Sequence, residues 1–184
     1  MIILGVDPGT NFTGFGIIKL NRNSFSRLKN GIIKLPSASL ISLRLAIIYD
    51  ELNKIIKTYK PDEFAIETAF YGKNVQSAMK IGYARGVSLL AAVHNNIPTS
   101  EYSPREIKKS VVGTGAASKE QVSFMIKNLL NLKDENMKFD ESDALAVALC
   151  HGFRIRTVKS LNGYAKKSSD WKAFAEAFPE RIIR

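Results

Sequence analysis

Cysteine is nearly absent: Cys150 is the one thiol among 184 residues. That excludes an internal disulfide framework and a zinc site built on cysteines, and it suits a reducing, cytoplasmic setting. No apolar run approaches the ~18 residues that a membrane span needs. The apolar start Met1–Val6 is too short for a signal peptide, lacks a basic flank and runs straight into Asp7. Heptad and collagen periods are missing, and a 45% apolar content argues against disorder. Acidic residues are scarce, 17 against 27 Lys and Arg, which leaves a net charge of +10. A polyanion is therefore the expected partner.

What is present fits one domain with a sizeable core, because a chain of this length buries roughly 70% of its unfolded surface. The charge is unevenly spread. Residues 1–151 carry 19 basic and 14 acidic side chains, and residues 152–184 carry 8 and 3, so each part contributes +5. We expect one folded domain over 1–156 and a basic tail over 157–184, with the edge near Arg156–Ser160. In the tail, Trp171, Phe174, Ala175 and Phe178 recur at helical spacing before Pro179, which predicts a short amphipathic helix. Within the domain, residues 68–133 hold nine Lys or Arg against Glu101, Glu106 and Glu120.

The pattern predicts an α/β fold. Ile2–Val6, Thr13–Leu20 and Phe25–Leu35 read as three antiparallel strands, and Ser39–Lys60 as a helix stopped by Pro61. Strands at Glu63–Thr68 and Pro98–Tyr102 then alternate with helices at Asn74–Asn95, Pro104–Val112, Ser118–Leu130 and Asp140–Arg154. The sum is a mixed five-stranded sheet, three strands antiparallel and two parallel, flanked by helices. Gly82 and Gly86 suit close packing of their helix on the sheet. Ser118 with Gln121 three residues on has the spacing of a capping box.

Four carboxylates stand out against the basic background. Asp7 closes an apolar strand, where an unpaired charge is costly to bury; the plain alternative is a turn-forming Asp before Pro8-Gly9. Glu67 closes another, after Phe64-Ala65-Ile66, and ligand sites of open α/β sheets lie beyond such strand ends. Asp140 and Asp143, three apart, project from one face of a helix; Asp140 also suits an N-cap. Asp143 is flanked by the buried-looking Ala144, Leu145, Val147, Ala148 and Leu149. Four carboxylates in one cluster repel each other unless cations lie between them. Oxygen ligands with no nearby Cys or His favour Mg²⁺ or Mn²⁺, and two such ions ~4 Å apart serve phosphodiester hydrolysis. His94 is far in sequence from any carboxylate, His151 lies over two turns from Asp143, and neither is taken as a ligand.

The motifs are familiar as a set. Ile3-Leu4-Gly5-Val6-Asp7-Pro8-Gly9-Thr10 with Gly14-Phe15-Gly16, and Ala65-Ile66-Glu67 with Phe70 and Lys73-Asn74, resemble the RuvC family of Holliday-junction resolvases. So do Gly82-Tyr83-Ala84-Arg85-Gly86, Lys108 with Val111-Val112-Gly113, Lys119, and Asp140-Glu141-Ser142-Asp143-Ala144-Leu145-Ala146. They keep the family's order and spacing over about residues 1–152. The resemblance implies a ribonuclease H-like fold, a homodimer, and symmetric nicking of two like-polarity strands at a four-way DNA junction, leaving 5′-phosphate and 3′-hydroxyl ends. It implies Asp7, Glu67, Asp140 and Asp143 as catalytic, metal-binding carboxylates for two Mg²⁺ ions, with Mn²⁺ as a substitute. Phe70 falls on the family's aromatic wedge, and Lys108 and Lys119 on its DNA-contacting lysines. Lys73 and Arg85 extend the basic track. The partner implied is the RuvA–RuvB branch-migration complex, and the place a bacterial, nucleoid-associated one.

Three other readings compete. An actin-like or sugar-kinase-like ATPase also opens with an Asp-x-Gly-Thr turn, but it needs two related domains and a second phosphate turn. A DNA-binding module with a decayed site would be expected to have lost one of the four carboxylates. Another ribonuclease H-like nuclease, acting on RNA, fits the carboxylates but not the Phe70–Asn74 loop and the Lys108/Lys119 pair.

Overall fold

The computed structural model describes residues 1–22, 24–68, 75–132 and 137–168, the last ten of these as backbone alone. Phe70, Tyr71 and Lys73 lie outside the described residues, as does the expected helix over 170–178. The elements run β1 (Ile2–Asp7), β2 (Phe12–Leu20), β3 (Phe25–Lys34), α1 (Ile41–Tyr59), β4 (Glu63–Glu67), α2 (Val75–His94), β5 (Thr99–Tyr102), α3 (Pro104–Val112), α4 (Lys119–Leu129) and α5 (Phe139–Ser168). The five strands form one sheet in the order β3-β2-β1-β4-β5. β1–β2 and β2–β3 are antiparallel, and β1–β4 and β4–β5 are parallel.

Alternation along β1 gives each face of the sheet its own partner. Leu4 and Val6 point to one side, into a core with Ile17, Ile33, Ile48, Leu52, Ile56, Phe64, Ile66, Ala91 and Ala92, where α1 and α2 pack. Gly5 points to the other side, where α5 lies so close that no side chain fits. A Cβ on Gly5 would come 2.3 Å from the Ala144 carbonyl oxygen, and one on Gly14 would come 2.1 Å from that of Asp140. The stretch of α5 that crosses the sheet is buried, with Ala144 to Leu149 all at 0% exposure. Such strand glycines mark close backbone approach.

Two expectations change here. Gly82 and Gly86 do not pack on the sheet: a Cβ on either meets nothing within 4 Å. They face outward, and the buried side of α2 is carried by Ala84, Ser88, Ala91 and Ala92. The last core helix does not stop at Arg154 but continues to Ser168. Within it Gly152 is a packing residue, since a Cβ there would sit 2.5 Å from the Phe25 ring. The chain divides into two compact units, Met1–Gly152 and Phe153–Arg184. The first contains the whole sheet. Among the described residues, no helix is long and apolar enough to cross a membrane.

Candidate active site

The topology brings the strand-end carboxylates together. β1 and β4 are parallel neighbours with Val6 opposite Ile66, so Asp7 and Glu67 follow side by side at their carboxyl ends. Asp7 pairs across to Gly14, over which the first turn of α5 lies. That contact brings Asp140 and Asp143 to the same end of the sheet. The turn after Asp7 is held by the Thr13 hydroxyl, which donates to the Gly9 carbonyl at 3.3 Å.

Asp7, Glu67 and Asp143 line one cavity of about 250 Å³ together with Pro104, Ile107, Lys108, Lys119, Val122 and Ala146. α3 and α4 form its basic wall, and each is fixed at its start by a capping box. The Ser103 hydroxyl accepts from the Glu106 N–H while the Glu106 carboxylate accepts from the Ser103 N–H, and Pro104 takes the first helical position. Ser118 and Gln121 repeat the arrangement at α4. Lys119 is the first residue of α4; its Nζ donates to Asp143 Oδ2 at 3.2 Å and stands 6.0 Å from the centre of the Phe139 ring.

Electrostatics mark the cavity as a place for cations. Burial, then Asp143 and Asp140, push the Asp7 carboxyl up to about 7, against the opposing pull of Lys119. Burial, then Asp7 and Asp143, push Glu67 up to about 8, against Lys119 and Lys108. Burial also raises Asp143, although Lys119 works the other way. Asp7 and Glu67 therefore hold protons near neutral pH unless another cation takes their place. Among the described residues, no three acidic, His or Cys side chains already surround a common point; like charges with nothing between them are better apart. The donor set itself, oxygen only and desolvated, fits a hard divalent cation.

The expected residues separate into groups. Asp7, Glu67, Asp143, Lys108 and Lys119 share the cavity. Asp140 does not line it but acts on Asp7, Asp143 and Lys119 through its charge. Arg85 lies on α2 in an ion pair with Glu101 and does not line the cavity. Phe139 is a neighbour that sequence reasoning passed over, although its place directly before the D-x-x-D segment signals it. Tyr102 and His151 were also missed as a pair: they meet at 2.7 Å in the interior.

A mixed 3-2-1-4-5 sheet, with carboxylates at the ends of its central parallel strands and on a helix laid across glycines, defines a nuclease of the ribonuclease H-like class. Known proteins narrow that class. Residues 3–151 match the family model described as crossover junction endodeoxyribonuclease RuvC, and the chain belongs to that family. It is 42% identical over 186 aligned positions to the crossover junction endodeoxyribonuclease RuvC of Chloroherpeton thalassium, covering 100% of both chains. It is 47% identical over 162 positions to that of Tolumonas auensis, covering 88% of this chain and 92% of the other. Thermus thermophilus RuvC in complex with Holliday junction substrate superposes with a TM-score of 0.80 at 29% identity, covering 85% of this chain and 96% of that one. The family match sets the ATPase and RNA-nuclease readings aside.

Proposed function

We propose that this chain resolves four-way DNA junctions by hydrolysing one phosphodiester in each of two opposed strands. The observation that carries the reading is the convergence of three desolvated carboxylates, Asp7, Glu67 and Asp143, on one cavity walled by Lys108 and Lys119. Asp7, Glu67 and Asp143, with Asp140 beside them, would hold two Mg²⁺ ions, or Mn²⁺ in their place. Bound there, the ions supply an activated water and neutralise charge on the reacting phosphate. The chain's own groups do the rest. The carboxylates give up their protons to admit the cations. Lys119 keeps Asp143 directed into the cavity, and Lys108 faces the same space, where both can hold flanking phosphates. Water adds to phosphorus and the 3′ oxygen leaves, so a 5′-phosphate and a 3′-hydroxyl remain for ligation. Phe70, in the segment after Glu67, serves as the aromatic wedge, with a stacking gain of ~1–3 kcal/mol. Lys73 and Arg85 extend the phosphate track.

A junction with two-fold symmetry calls for two sites, and α2 offers the surface for pairing. Val75, Met79, Tyr83, Leu90 and Val93 are exposed at 45–71%. They recur at intervals of three, four and seven along one helix face, together with the open Gly82 and Gly86. An apolar stripe with glycines that admit close approach suits a second copy of the same helix. The RuvA–RuvB complex and the nucleoid complete the proposal as partner and place.

The test is cleavage of a synthetic four-way junction, a linear duplex and an RNA–DNA hybrid, each with and without Mg²⁺. Paired nicks in the junction alone, and only with the ion, support the reading. Preferential cutting of the hybrid overturns it.

A further inference from the structure

Tyr102 and His151 form a buried polar pair, with the half-buried Glu63 beside it, that the cleavage chemistry does not use. The Tyr102 hydroxyl lies 2.7 Å from His151 Nδ1, and His151 Nε2 lies 3.4 Å from Glu63 Oε2. Tyr102 is 2% exposed and His151 5%. With its Nδ1 unprotonated, the imidazole accepts from the tyrosine hydroxyl, while Nε2 lies near the Glu63 carboxylate without a hydrogen bond to it. The two ends of this pair matter for the site. Tyr102 pairs with Glu67 in the β4–β5 register. Its carbonyl accepts from the Thr68 N–H at 2.8 Å and from the Thr68 hydroxyl at 3.2 Å, which fixes the backbone that leaves Glu67. His151 lies on α5, the helix that carries Asp140 and Asp143.

We propose that Tyr102 and His151 are positioning residues, a strut between β5 and α5 that sets the spacing of Glu67 from Asp143 and so the affinity of the cavity for divalent cations. This rests on the functional reading above. Apolar packing of α5 on strand glycines holds the helix down but resists sliding along the strands weakly; a directional hydrogen bond between the two layers resists it well. Groups bonded directly to metal ligands commonly change metal affinity ~10–100-fold when removed; Tyr102 and His151 act one step further out, so the low end of that range applies.

The experiment is Mn²⁺ titration of the full chain, followed by electron paramagnetic resonance, alongside thermal unfolding in metal-free buffer. The variants are Tyr102→Phe, His151→Gln and His151→Leu, with Asp7→Asn as control. Tyr102→Phe and His151→Leu are expected to weaken Mn²⁺ binding about tenfold. The double variant should be no weaker than either single one, and His151→Gln, which keeps an acceptor, should recover part of the loss. A merely structural pair would lower the unfolding temperature and leave Mn²⁺ affinity unchanged, and that result overturns the strut. Should the wild-type chain bind no Mn²⁺, or Asp7→Asn bind it equally well, the functional reading falls first and the strut with it.

Discussion

Lys119 Nζ lies 3.2 Å from Asp143 Oδ2, joining the first residue of α4 to the beginning of α5 across the mouth of the cavity. The lysine side chain is 60% exposed and the aspartate 17%. A pair this wet at one end contributes only ~0–1 kcal/mol to stability. Its importance is charge: Asp143 raises the proton affinity of Lys119 more than any other group does, so the ammonium stays positive beside the acidic cavity.

Loss of one cavity carboxylate should abolish turnover while sparing binding. Asp7→Asn and Asp143→Asn are each expected to slow junction cleavage by at least ~10²-fold, in keeping with removal of groups that stabilise developing charge. Junction affinity by gel shift should change little. Near-normal cleavage by either variant in Mg²⁺ would remove these residues from the reaction.

Acidity should govern the metal-free protein. Folded Asp7 titrates at about 7 rather than 3.8, and Glu67 at about 8 rather than 4.5. The folded state therefore holds protons that the unfolded chain has already released, and stability must fall as pH rises. The favourable contribution is complete below about pH 4 and is lost progressively as pH climbs to about 8. Melting temperature in chelator should drop over that window, Asp7→Asn should flatten the drop, and Mg²⁺ should restore the loss at pH 8. A melting temperature that rises from pH 5 to 8 in chelator would contradict the buried, mutually repelling cluster.

The basic wall should announce itself through salt. Lys108→Ala and Lys119→Ala are each expected to reduce the slope of log affinity against log salt by about 1. The measurement is junction binding by a chain that also carries Asp7→Asn, so that no cutting intervenes. Unchanged slopes would place both lysines away from phosphates.

Pairing through α2 is tested with Tyr83→Glu, which puts a charge in the middle of the exposed stripe. The variant should elute as a monomer, keep its melting temperature within a few degrees, and lose paired nicking. A variant that stays dimeric sends the interface elsewhere.

Much of this arrangement was legible before any coordinates, because its signals are local. Asp7 and Glu67 end apolar runs, Asp140 and Asp143 repeat at helical spacing, and Ser118 stands three before Gln121. One misreading concerns glycine, whose meaning is set by what lies opposite. Gly82 and Gly86 resemble contacts to a sheet until the space beside them proves open. Tyr102 and His151 were illegible as a pair for the same reason, being 49 residues apart with no periodicity to connect them.

Gly5 and Gly14 have a consequence for genetics. An alanine at either would meet backbone oxygen of α5, so the helix would have to lift and carry its two aspartates with it. A screen for recombination-defective alleles should therefore recover these glycines as readily as the acidic residues. The two kinds of lesion would part on temperature: the glycine alleles should regain function in the cold, whereas an amide in place of a carboxylate should be defective at every temperature.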